Sequence, residues 1–184
     1  MSSMHSGTVI GNHRRGHLKS GPAAKADLAK YETRMQQVKK GPRAYLAEGT
    51  GPQIGSGTVR AWAAYAQGDP AKALSLMHET ADLQDKMGQG EVDTLAREML
   101  ADMLLELKRP QDALVEYEHS LQFSPNRFNG LFNAGMAAEA AGNRTKARKY
   151  YTMLLEVTDN GIHTTRSETA HAKAFLATGA AAAK

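Results

Sequence analysis

His13 and His17 stand four residues apart, and Asn129 and Asn133 repeat that spacing later in the chain. On a helix, a separation of four puts two side chains on one face. The first pair could therefore offer two imidazoles to a metal ion, and the second two amides to a peptide backbone. The imidazole pair makes a poor site, because it lacks a third ligand and Arg14 and Arg15 between the rings oppose a cation. His163 and His171 flank TTRSETA at no spacing that metal sites use, and His5, His78 and His119 are isolated. The chain has no cysteine, which excludes a disulfide framework, a thiolate zinc site and a thiol nucleophile together. It contains no HExxH, no nucleophile elbow and no legible Ser/His/Asp arrangement. The run GTGPQIGSG resembles a phosphate loop but lacks the Gly-Lys-Ser/Thr ending and lies in helix-like sequence. The expectation is a protein that is not an enzyme, binds no metal and needs no cofactor.

Charge is the second chemical signal. The net charge is +4, yet residues 1–50 carry nine Lys/Arg against three Asp/Glu, and the remainder is slightly acidic. Arg14, Arg15, Lys19, Lys39, Lys40 and Arg43 form a basic patch in the first segment. Such cations could hold phosphates weakly and in a salt-dependent way. Only Tyr31 and Tyr45 lie among them, a thin platform for stacking bases, and an acidic protein could use the same charges. The plainer reading is a solvated basic face.

The elements that must carry these residues are helical. Ala and Met supply much of the 41% hydrophobic content and aromatics only 6%, a balance that favours helices over strands. Residues 1–21 lack a sustained period and read as irregular, with a short helix around Val9–Lys19. Residues 22–40 read as a helix opened by Pro22 and closed by Lys39, Lys40 and Gly41. Residues 47–57, with four Gly and one Pro, read as a flexible connection or a badly degraded helix start. Helices are then expected over Thr58–Gln67, from Pro70 to about Asp85 with Asp69 as its cap, over Glu91–Lys108, from Pro110 to before Ser124, over Arg127–Ala141, and over Arg144–Val157 with Asn143 as its cap. Thr165 and Glu168 form a capping-box pattern that opens a last helix to about Ala177. No apolar run reaches membrane-span length, and the opening residues lack the apolar core of a secretory signal, so the default expectation is cytoplasmic.

The second half repeats itself at a period of 34. Ala113 recurs as Ala147, Tyr117 as Tyr151 and Leu121 as Leu155. Such a period marks stacked helical hairpins, none of which can bury its apolar face alone. One unit offers Leu100, Ala101, Leu104, Ala113, Tyr117, Ser120 and Pro125. The next offers Leu131, Ala134, Gly135, Ala138, Gly142, Ala147, Tyr151 and Leu154, and an earlier one Ala61, Ala64, Gly68, Ala73 and Met77. These residues resemble the tetratricopeptide repeat family, and the whole is similar to the C-terminal part of larger bacterial repeat proteins. The resemblance implies an all-α, right-handed solenoid of antiparallel helix hairpins. It would comprise an irregular segment over 1–21, a degenerate repeat helix and linker over 22–53, about three repeats over 54–161, and a capping helix and tail over 162–184.

The resemblance also implies a function. In that family the first helices of successive hairpins line a concave groove that takes a peptide or protein segment. Carried over by position, the groove residues are Trp62, Tyr65, Glu98, Asp102, Asn129, Phe132, Asn133 and Met136. Glu98 and Asp102 stand where members that clamp acidic tails have Lys and Asn, so the expected ligand is neutral or basic with apolar anchors. Each residue has a plainer role beside this one: Trp62 and Tyr65 as packing against the helix over 70–85, the methionines as core filler, and the asparagines as solvated amides. The expected function is a non-catalytic scaffold or adaptor that binds a protein or peptide. The alternative is weak nucleic-acid or acidic-partner binding through the basic segment. Apolar end faces on a short solenoid also predict self-association.

Overall fold

The computed structural model describes residues 21–42, 44–88, 95–159 and 166–180. Every regular element among them is helical, in agreement with the expected class: eight α-helices and one 3-10 turn. The chain divides into two compact units, one ending at Met87 and the other beginning at Gly88. In each unit, successive helices pack on one another.

The first unit contains α1 (Gly21–Lys40), the 3-10 turn Ala44–Ala47, α2 (Thr50–Ala66) and α3 (Pro70–Met87). Leu28, Tyr31, Met35 and Val38 recur at helical spacing and are the partly buried stripe of α1. The core of the unit is small: Ala61, Ala63, Ala64, Ala73, Met77 and Ala81. Residues 50–57, expected as a connection or a degraded start, form the first two turns of α2. The reason lies at Gly57. A Cβ there would stand 2.1 Å from Thr80 Oγ1, so α2 and α3 cross at a distance only glycine permits. Glycine inside a helix costs about 1 kcal/mol relative to alanine, and here that cost secures a close crossing rather than a break.

The second unit contains α4 (Ala96–Glu106), α5 (Pro110–Phe123), α6 (Phe128–Ala140), α7 (Arg144–Asp159) and α8 (Ser167–Ala180). Its core is built from the residues that carry the period: Leu100, Leu104, Ala113 and Tyr117, then Ala134, Ala138, Ala147 and Tyr151, all buried. Helix α4 starts later than the sequence suggests, with Leu95 in extended geometry at its cap. The expected helix over Val9–Lys19 and Thr165 of the capping box lie outside the described residues.

Three tight turns join helix pairs in the same manner. Gly68, Lys108 and Gly142 adopt left-handed backbone, with φ of 82°, 61° and 73°. The amide that follows each one bonds the carbonyl five residues back: Asp69 to Ala64 at 3.0 Å, Arg109 to Leu104 at 2.9 Å and Asn143 to Ala138 at 2.8 Å. The left-handed residue's own amide bonds three back, to Tyr65, Leu105 and Glu139. This is the Schellman closure, which satisfies carbonyls that a helix end leaves orphaned. The next helix then opens on a cap: Asp69 Oδ1 accepts from the Lys72 amide and Asn143 Oδ1 from the Lys146 amide, each at 3.0 Å, as the sequence predicts. Lys108 and Gly142 are one period apart, so the sequence repeat is also a repeat of backbone conformation. No helix among the described residues is long and apolar enough to cross a membrane.

Candidate functional site

The residues expected to line a groove fall in both units. Trp62 and Tyr65 belong to the first unit, on α2. They are one helical turn apart and half-buried, with their rings edge-to-face at 5.7 Å between centroids. The remaining six belong to the second unit, on α4 and α6.

Burial separates those six into two groups. Glu98, expected as an acidic groove residue, is only 3% exposed. Arg127 Nε donates to its Oε1 at 3.0 Å, and a second guanidinium nitrogen reaches Oε2 at 3.4 Å. Burial raises the Glu98 carboxyl above its ordinary range, and the hydrogen bond and charge of Arg127 only partly offset this. The physical reason for the inward placement is Arg127, at the N-cap of α6, which draws the carboxylate against the start of that helix. A Cβ at Gly130 would stand 3.0 Å from Glu98 Oε1. Met136 is also buried, and its sulfur accepts from the Tyr151 hydroxyl at 3.1 Å. Asp102 is half-buried and accepts the hydroxyl of Tyr117 in a short hydrogen bond.

The other three stand toward solvent on α6: Asn129 is exposed, and Phe132 and Asn133 are half-buried. The opposite side of the same helix, Gly130, Leu131, Ala134, Gly135, Ala137 and Ala138, is buried. The α6 surface is therefore backed by close packing. A Cβ at Gly135 would lie 2.4 Å from the ring of Tyr151, so α7 presses against α6 where only a hydrogen fits.

Phe132 opens onto an aromatic cluster that sequence reasoning did not assemble. Its ring lies 6.2 Å from Tyr151 and 6.0 Å from His171, and Tyr151 lies 5.1 Å from Phe175. Glu139 Oε2 joins the cluster, accepting from the Tyr151 hydroxyl at 2.9 Å and meeting His171 Nε2 at 2.9 Å. Burial, with the charge and hydrogen bond of Glu139, pushes the Tyr151 hydroxyl pKa far up, so it stays a donor. The available signal was the spacing of His171 and Phe175, four residues apart on the last helix.

A second polar knot ties α5 to α7. Lys146 Nζ reaches the Glu118 carboxylate at 2.8 Å, and the Tyr150 hydroxyl donates to Glu118 Oε1 at 2.7 Å. Burial alone would raise Glu118, but hydrogen bonds from Lys146 and Tyr150 and the charges of Lys146 and Lys149 hold it below its ordinary range.

Of the basic patch, Lys39 and Lys40 are exposed in the last turn of α1. Arg14, Arg15, Lys19 and Arg43 lie outside the described residues, as do His13 and His17. Among the described residues no group of three His, Asp or Glu side chains converges as metal ligands do. No protein-family model matches the chain, and no curated protein matches its sequence.

Proposed function

We propose that the chain is a non-catalytic interaction module, a scaffold or adaptor of the tetratricopeptide-repeat kind. In this reading its helices pack as successive antiparallel hairpins of a repeat, and the first helices of the second unit's hairpins, α4 and α6, receive a protein or peptide segment. The observation that carries the reading is the α6 surface, where Asn129, Phe132 and Asn133 stand along the open side of a helix whose other side is buried. An exposed amide, that of Asn129, beside one aromatic anchor, on a helix closely packed from behind, is what segment recognition needs. The shared Schellman turns at Gly68, Lys108 and Gly142 support the repeat character.

The carboxylates near this surface are engaged in tying helices together: Glu98 to Arg127, Asp102 to Tyr117, and Glu139 to Tyr151 and His171. That supports binding rather than catalysis. Glu98 is paired and withdrawn, so the acidic bias of the surface rests on Asp102 and Glu139. The preferred ligand is a neutral or mildly basic segment with an apolar side chain seated by Phe132.

The test is cross-linking capture from source lysate, with and without nuclease, comparing the native chain with Asn129→Lys/Asn133→Lys. Protein partners that survive nuclease and are lost with the double substitution support the reading. Capture that depends on nucleic acid and ignores both substitutions would overturn it in favour of the basic segment.

A further inference from the structure

The cations of the second unit divide by what they touch. Arg97, Arg109, Arg127, Lys146 and Arg166 each lie within 4.0 Å of a carboxylate. Arg144, Arg148, Lys149 and Lys173 meet no carboxylate at that range among the described residues, and all four are exposed. Three of them fall within RTKARK, residues 144–149, where α7 begins, and no acidic residue follows on that helix before Glu156. Helix stability asks for the reverse. The first turn is the positive end of the helix dipole and favours acids. Like charges four apart, as Arg144 and Arg148 are, repel. Local helix energetics therefore do not account for the concentration of cations here.

The heads of the two arginines are nevertheless held in place. Arg144 lays its guanidinium over the Phe175 ring at 5.1 Å, and Arg148 Nη1 donates to the Leu176 carbonyl at 3.2 Å. Both groups are thus brought to adjacent residues of α8, against a ring face and a neutral carbonyl that leave their charges unneutralised. Lys173 stands three residues before Leu176, a spacing that makes them neighbours on one helix face. Lys149 lies over the Tyr150 ring at 5.2 Å. It reaches Glu118 only as a more distant charge, since Lys146 and Tyr150 hold that carboxylate directly.

We propose that this basic face of α7 and α8 is a second docking surface, and that its occupant is an acidic protein segment with two or more carboxylates in a short run. A guanidinium offers a planar fork that matches a carboxylate with two parallel hydrogen bonds. Heads already parked on α8 lose less freedom when a ligand arrives. At 1.5 Å per residue, residues 144–149 span about 8 Å of α7, the reach of two or three residues of extended chain. A nucleic-acid strand fits the face less well. Such binding draws on roughly 6–10 phosphate contacts, more than this face supplies. It also lacks a stacking platform, because Arg144 covers Phe175 and Tyr150 is buried. The surface lies on the exposed side of α7, whose buried Tyr151 presses on α6. It is therefore separate from Asn129, Phe132 and Asn133 and does not depend on what they bind. Together the two surfaces let one chain hold two unlike segments, one acidic and one neutral or mildly basic.

The experiment is fluorescence anisotropy of a labelled hexaglutamate peptide titrated with the full chain at low and at physiological salt. A labelled heptathymidylate, which carries six phosphates, is the parallel probe. The wild-type chain should bind the peptide more tightly than the oligonucleotide. Lys149→Gln/Lys173→Gln removes charges that fasten no helix, and should weaken peptide binding roughly 3- to 10-fold. Arg144→Gln/Arg148→Gln should cost about 10-fold or more, and Arg144→Lys/Arg148→Lys, which keeps the charges without the forks, should recover only part of that. Circular dichroism checks that α8 stays folded in the arginine variants, and the lysine pair decides the matter if it does not. Lys39→Gln/Lys40→Gln, in the first unit, should leave binding unchanged. The proposal is overturned if the wild-type chain fails to bind hexaglutamate, if Lys149→Gln/Lys173→Gln binds it equally well, if the loss follows Lys39→Gln/Lys40→Gln instead, or if the oligonucleotide binds more tightly than the peptide.

Discussion

Gly135 and Tyr151 touch so closely that a methyl group on the glycine would sit 2.4 Å from Cε1 of the ring. Tyr151 has no room to retreat, being fully buried with its hydroxyl held by Met136 and Glu139. Gly135→Ala should therefore destabilise the protein by about 1–3 kcal/mol, although alanine is the better helix former. Gly51→Ala, in the open first turn of α2 with nothing within 4 Å, should do the opposite and gain up to about 1 kcal/mol. Urea midpoints of the two variants should move in opposite directions, and movement in the same direction would refute the close-approach reading of Gly135.

Lys108 is the one non-glycine residue with positive φ among the described residues, and it occupies the place that Gly68 and Gly142 hold in the other two turns. The left-handed conformation costs an L-residue roughly 1–2 kcal/mol. Lys108→Gly should raise stability by about 0.5–1 kcal/mol, since glycine's extra unfolded-state entropy takes back part of the relief. Thermal melts of the two proteins decide it, and an unchanged or lower midpoint counts against strain at this turn.

The Glu98–Arg127 pair should give the protein a carboxylate with an inverted pH signature. The Glu98 pKa is raised above its ordinary value of 4.5. Between that value and the folded one, the folded state keeps the proton that the unfolded chain releases. This group's contribution is therefore full at lower pH and declines as pH rises across the window. Glu98→Gln should remove that decline from a plot of stability against pH. Arg127→Met, which strands the carboxylate, should cost about 3 kcal/mol at pH 7 and much less in acid.

Glu118 should behave in the ordinary sense. Lys146 and Tyr150 hold its pKa below 4.5, so its contribution is present above that value and is lost as pH falls through the depressed one. Lys146→Met should reduce acid sensitivity while lowering stability at neutral pH. The loss should be modest, about 1 kcal/mol or less, because the pair is partly exposed and water screens it. Acid titration followed by circular dichroism of both proteins reads the difference.

The parts of the fold legible in the sequence are those where one residue type answers one local requirement. Asp69 and Asn143 as caps, Pro110 as a helix start, Gly142 at a turn and the alanine–tyrosine pairs at the period of 34 all sit where their chemistry placed them. Residues 50–57 were less legible because glycine serves two ends, freeing a backbone or letting two backbones approach, and only the position of Thr80 on the neighbouring helix tells which. Glu98 was ambiguous for a similar reason. A charged residue early in a helix reads as surface unless its partner is known, and Arg127 lies 29 residues further on. The aromatic cluster draws on α6, α7 and α8, with His171 and Phe175 on a helix whose small residues give no clear apolar face.

The three Schellman turns bear on how the chain comes to be folded. Each joins its two helices with only three residues: 67–69, 107–109 and 141–143. Loops this short lose little entropy on closing, and partners so near in sequence meet early, which is the regime of rapid folding. Each hairpin can begin to form once its own two helices have emerged from the ribosome, and it buries its apolar face when its neighbour in the chain follows. A nascent chain built in this way leaves the open face of its newest hairpin uncovered only until the next one stacks on it.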